Sequence, residues 1–344
     1  MNRPIRAAIV AAVAAAVLAA AAAASAANTA TVAVSTVGTS TTIHVNVPQT
    51  TDPIAAINFF IPTGWAASLN AAVGSSIGTV SAQANGHDVG LTLPLSGNVS
   101  VASPTAAAGD VCSPGTHGAI WNLNLSVAGQ TLVLPLYIDQ TNAATAALGP
   151  YQMRICLPPW DVPVGTPGRA FEGAQLLDAT FTVTNVFTAP ASGLSVWNNL
   201  FTPYFPTKGL PNVAATFDAR SLVGVPALSI KVGKKGKSYA AGGKLTEGGL
   251  SVGGATVTLL RGASASKLAK IGTATTGAAG AWAKSGKVVG KKLAYFKATA
   301  TVKERDATTT GCAQPLPASI APGGCVSATL GAWSATSPVA KFKP

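Results

Sequence analysis

Beyond its first 27 residues the chain shows almost no helical periodicity. Short apolar and β-branched runs recur instead, cut by Gly, Pro, Asn and Ser. They fall at 30–37, 41–47, 56–61, 119–127, 131–138, 151–157, 179–187 and 194–201. Segments of strand length at that spacing build packed antiparallel sheets. Between Ile120 and Val127, Trp121, Leu123 and Leu125 alternate with Asn122, Asn124 and Ser126, as a strand with one buried face requires. Leu132 to Ile138 is apolar throughout, which suits a central strand, while Pro135 argues for an edge or a bulge. Short helices are expected only at 66–73 and 143–148. The fold class expected is all-β, in tandem antiparallel sandwiches.

The N-terminus reads as an export signal. Arg3 and Arg6 precede an apolar run at 7–24, and Ala24-Ser25-Ala26 supplies a small-residue cleavage site. This predicts a signal-peptide helix over 1–26; a membrane-spanning helix is the competing reading. Four cysteines, an even number, fit an oxidising compartment. The expected pairs are Cys112–Cys156 and Cys312–Cys325. Neither has C-x-x-C spacing, so no metal or other cofactor is expected.

Charge divides the chain. Residues 226–344 carry 17 basic side chains against three acidic ones, a net +14, whereas 28–225 carry four against eight, a net −4. A change of sign that sharp marks a boundary near Pro226. The expected domains are a β-sandwich region at 27–225 and a basic sandwich at 226–344. Pattern alone leaves open whether 27–225 is one unit or two, split near 103–109.

Within the basic half, the Gly-Leu run at 243–245, G-x-x-V-x-L at 254–259, the Thr-rich run at 273–276 and the G-x-W turn at 280–282 stand in a recognisable order. This order, over about 228–303, resembles bacterial Ig-like and carboxypeptidase-regulatory-like domains. The resemblance implies a seven-strand sandwich acting as a stalk, spacer or adhesive module, and it carries over no catalytic residue. Pro315, Pro317 and Pro322, between the last two cysteines, fall outside that pattern and read as a stapled loop before a final strand at 326–333. In the first half, Phe60-Ile61-Pro62-Thr63-Gly64-Trp65 and Ile77-Gly78-Thr79-Val80 look like uncharacterised secreted proteins of GC-rich Gram-positive bacteria, which brings no activity with it.

Three sets of residues are candidates for function. Trp197, Asn198, Tyr204 and Phe205, with Trp160 in reserve, could form an aromatic platform for a glycan or peptide; packing under a loop is the competing reading. Lys234, Lys235, Lys237, Lys287, Lys291 and Lys292 could meet a polyanion, or serve solubility alone. Export favours anionic wall polymers or a membrane surface over nucleic acid. Ser76 lies in a G-x-S-x-G match at 74–78, and Asp88 or Asp110 with His117 would follow in the right order. The strand-turn-helix context that a nucleophile needs is missing, so the segment reads as a loop. His44, alternating with Ile43 and Val45, is expected to face solvent.

The function expected is therefore that of a non-catalytic secreted surface protein with a structural, adhesive or wall-associating role. A glycan- or peptide-binding module is the alternative, and a Ser hydrolase comes third.

Overall fold

The computed structural model describes residues 28–106, 109–127, 129–287, 293–306 and 328–343. The leader at 1–26, Cys312, Cys325, Lys291 and Lys292 lie outside the described residues. The protein is all-β, and the only helices among the described residues are 3-10 turns at Ala146–Leu148, Phe171–Gly173 and Val213–Ala215. Of the two Ala-rich stretches expected to be helical, 143–148 ends in the 3-10 turn at Ala146–Leu148, whereas 66–73 is not helical. Ala66–Ala67 pairs with Phe187–Thr188, and the Ser68 N–H donates to the Val186 carbonyl at 2.8 Å. Tertiary hydrogen bonds there override the helix propensity of Ala.

The first region is built on one curled sheet. Its strands run in space Thr31–Val37, Ser40–Asn46, Ala174–Thr184, Ser76–Gly86, Leu91–Ala102, Ala119–Val127, Gln130–Gln140, Tyr151–Cys156, Ile54–Ile61, Leu194–Pro203 and Phe217–Gly224, each antiparallel to the next. The first and last of these meet: the Val34 N–H donates to Ser221 Oγ at 2.7 Å. A single core cluster fills the interior, with Ile43, Phe59, Val99, Trp121, Leu136 and Trp197 all at 4% exposure or less. It draws on strands from both sides of 103–109. Trp197 packs edge-on against Trp65, with ring centroids 5.2 Å apart. The outer face is polar, as the alternation of Ala119–Val127 predicts. Asn124 Nδ2 donates there to Asn98 Oδ1 at 2.8 Å and Ser100 Oγ at 2.9 Å. A disulfide joins Cys112 to Cys156, closing the expected pair.

The second region is a two-sheet sandwich. One sheet holds Pro226–Leu228, Lys231–Lys235, Ser238–Glu247, Leu250–Ser251 and Ala281–Lys287; the other holds Thr256–Ser264, Lys267–Thr275, Ala294–Val302, Trp333–Thr336 and Ala340–Phe342. Tyr239, Leu245, Val257, Trp282 and Phe296 fill the space between them. The final strand expected at 326–333 divides its loyalty. Thr329–Leu330 pairs parallel with Phe217–Gly224 of the first region and antiparallel with Arg305–Asp306, and only Trp333–Thr336 joins the sandwich. Ser221 Oγ donates to the Thr329 carbonyl at 2.8 Å, and Arg305 pairs with the buried carboxylate of Glu247. These contacts stitch the two regions together.

Candidate functional site

An apolar cavity of about 230 Å³ opens at one end of the curled sheet. It exists because neighbouring strands differ in length. Tyr151–Cys156 pairs only with residues 136–140 of Gln130–Gln140, leaving 130–135 with a partner on one side. The chain then leaves the sheet at Leu157-Pro158-Pro159, where proline cannot donate to a ladder. Pro135 lies one position beyond that ladder and pairs in register only with Asn122. On the other flank, Leu91–Ala102 outruns its neighbour, the ladder to Ala119–Val127 stopping at Ser96 opposite Ser126. Two hairpin ends therefore overhang the core.

Their inner faces stay apolar. Leu93, Leu95, Leu132 and Leu134 line the cavity and are only half-buried. Ala84 lies opposite Leu93, and Ala82 opposite Leu95. The small side chains leave the space that a larger residue would fill. The missed signal is the alternation Leu91, Leu93, Leu95, which carries apolar residues out to a hairpin tip where polar ones are expected.

Segment 157–173 closes the opposite side and is clasped to the turn at 87–90. The His87 ring lies flat on Trp160, centroids 3.9 Å apart and planes 5° from parallel. His87 Nε2 is 3.0 Å from Gln175 Oε1. Arg169 grips Asp88 with both terminal nitrogens, at 2.6 and 2.7 Å, while its Nε donates to the Val162 carbonyl at 2.8 Å. That fork holds the Asp88 carboxyl below the usual carboxylate range and raises Arg169. Gly173, at φ +59°, lets the strap pass: a Cβ there would come within 2.8 Å of Arg169 Nη2.

The polar side chains lining the cavity are Asp52, Gln130, Thr131 and Gln175, with the indole of Trp160. The buried Gln175 is engaged, Nε2 donating to the Gln49 carbonyl at 3.1 Å. Asp52 Oδ2 accepts from Asn28 Nδ2 at 3.0 Å and has no ion-pair partner among the described residues. Trp160 keeps a buried indole N–H without a partner. Among the described residues, no Lys, Arg or His lines the space.

The aromatic platform expected at 197–205 is not present. Trp197 is fully buried and Tyr204 is 8% exposed, because Leu194–Pro203 is an interior strand whose inward side chains feed the core. Burial also pushes the Tyr204 phenol up. Its hydroxyl donates to the Leu157 carbonyl at 2.8 Å, so it positions a cavity-lining residue. Asn198 is half-buried, and Phe205 alone is well exposed. Ser76 opens a strand, and its Oγ reaches the Gly78 carbonyl at 3.5 Å. His117, the partner a hydrolase would need, is buried against Asp139 Oδ2 at 2.7 Å and the Ser113 carbonyl at 3.0 Å. Lys234, Lys235, Lys237 and Lys287 are exposed. Lys235 and Lys287 stand on either side of Ser238 across three adjacent strands.

His44 does not simply face solvent. Its Nε2 lies 2.7 Å from Asp178 Oδ2 and its Nδ1 2.6 Å from Glu304 Oε2. Those two carboxylates, Glu304 foremost, raise its pKa to about 9 against the opposing effect of burial.

A scan against protein-family models found no match, and neither did a search of curated proteins.

Proposed function

We propose that this chain is an exported, non-catalytic binding protein whose large sheet holds an apolar ligand in the cavity at its open end. One observation carries the reading: half-buried leucines, with small alanines beside them on the neighbouring strand, line most of the space, and only Asp52, Gln130, Thr131 and Gln175 add polar side chains. Pockets for small molecules have this character, mostly apolar with a few placed polar groups. The leader pattern and the Cys112–Cys156 disulfide support export. No described helix is long and apolar enough to cross a membrane. The test is a fluorescence titration of the full chain with the uncharged probe N-phenyl-1-naphthylamine. Saturable enhancement is expected, and Ala82→Phe, which fills the cavity from a half-buried strand position, should abolish it while leaving the melting temperature within a few degrees. Enhancement unchanged in that variant would refute the reading.

A second reading concerns the sandwich, and it is favoured by the convergence of Lys235 and Lys287. Exposed lysines are flexible point charges suited to diffuse attraction by anionic wall polymers or an anionic membrane surface. Retention on a teichoic-acid-type polymer should fall steeply as salt rises and weaken in a Lys235→Ser, Lys287→Ser variant. Retention indifferent to salt would remove it.

A further inference from the structure

The polar groups around the cavity discriminate among apolar ligands. Resting on the cavity reading above, we infer that the ligand is an uncharged, hydroxyl-bearing amphiphile, such as a long-chain alcohol or a monoacylglycerol, rather than a fatty acid or other anionic lipid.

Size and shape select a chain. The cavity exceeds the ~150 Å³ of an engineered apolar cavity that takes benzene but is open, so a longer chain would continue past the rim. The rim is itself apolar. Phe171, which lines the cavity, is 52% exposed, and Leu91, two residues from Leu93 on the same strand face, is 62% exposed. Exposed large side chains contiguous with a cavity extend its apolar surface.

Charge selects the head group. Anionic heads are normally met by Arg or Lys, and among the described residues no cation lines this space. Arg169, the nearby candidate on the strap, has its terminal nitrogens on Asp88 and its Nε on a carbonyl. The one ionisable lining group among the described residues is Asp52, which Asn28 holds in place from two directions: Nδ2 donates to the carboxylate, and Oδ1 accepts from the Asp52 N–H at 2.9 Å. A carboxylate brought to this cavity meets a like charge without compensation, and the low dielectric sharpens the penalty. A hydroxyl meets no such penalty. It can donate to Asp52, which lines the space.

The experiment is displacement of bound N-phenyl-1-naphthylamine from the full chain at neutral pH by 1-decanol and by decanoate, which share a chain length. Decanol is expected to displace the probe at about tenfold lower concentration or better. Asp52→Asn should bring decanoate to within about twofold of decanol by removing the like charge. Decanoate matching decanol on the unaltered chain, or a preference that survives Asp52→Asn, overturns the inference while leaving the cavity reading intact. Failure of both compounds to displace the probe overturns both.

Discussion

The two regions of this molecule bury their apolar faces in different ways. The second closes two five-stranded sheets over Tyr239, Leu245 and Phe296. The first wraps eleven strands round one core and leaves the inner face uncovered at one end, where its hairpins outrun their neighbours. The hollow thus comes from unequal strand lengths, with alanines set opposite leucines, and not from any shortage of apolar residues. Charge follows the same division. The hollow sheet is slightly acidic and the closed sandwich is strongly basic. Yet the regions are not independent beads. Thr329–Leu330 extends the first sheet, and Ser221 accepts from one region's edge strand while donating to the other's.

The comparison is most severely tested by a deletion in each core. Trp197→Ala removes a fully buried ring packed on Trp65 and Phe187, and should cost about 3–5 kcal/mol of unfolding free energy. Phe296→Ala, with its ring between Tyr239 and Phe342, should cost a similar amount in the sandwich. In denaturant titrations each variant should shift the transition of both regions, because the strand at 329–330 ties them. Two transitions moving independently would show the stitch to be weak. The next effect in size is the disulfide, present only in the first region among the described residues. Cys112 and Cys156 are 44 positions apart. Chain entropy for a loop of that length gives about 4 kcal/mol as an upper value. Reduction, or Cys112→Ser with Cys156→Ser, should lower the melting temperature of the first region more than that of the second.

Much of this architecture was legible in the residues. The strand at 119–127 is found where the alternation of Trp121, Leu123 and Leu125 puts it, and seven other runs fall within a few residues of their strands. Period-two patterning survives because the outer face meets water and the inner face does not. The cavity was not legible, since it depends on where one strand stops relative to another, a relation between Cys156 and Pro135 that no local pattern contains. Tyr204 and Trp197 misled for a related reason. Aromatics near Pro203 and Pro206 suggest an exposed loop, but the neighbours that bury them come from residues 54–61 and 217–224. His44 shows the same limit: its partners lie 134 and 260 positions away. The strand crossing back to Phe217–Gly224 was hidden too, because two residues of parallel pairing leave no periodic trace.

The smallest effect tests the stitch itself. Asp178 belongs to the first region's sheet and Glu304 to the segment entering from the second, and His44 stands between them. Its folded pKa of about 9 lies above the ordinary value of about 6.5. A raised pKa means that the folded state holds the proton more tightly than the unfolded state. The stabilisation is therefore complete below about pH 6.5 and disappears as pH rises through about 9. All three side chains are roughly one-third exposed, so solvent screening limits the contribution to about 1 kcal/mol. Unfolding free energy measured from pH 6 to 10 should fall across that window, and Glu304→Gln should flatten the fall and lower stability at pH 6. High salt should have a similar but weaker influence. If His44→Asn leaves the profile unchanged, the contact between the regions is held by the 329–330 pairing and the Glu247–Arg305 pair, and the histidine is a bystander at their junction.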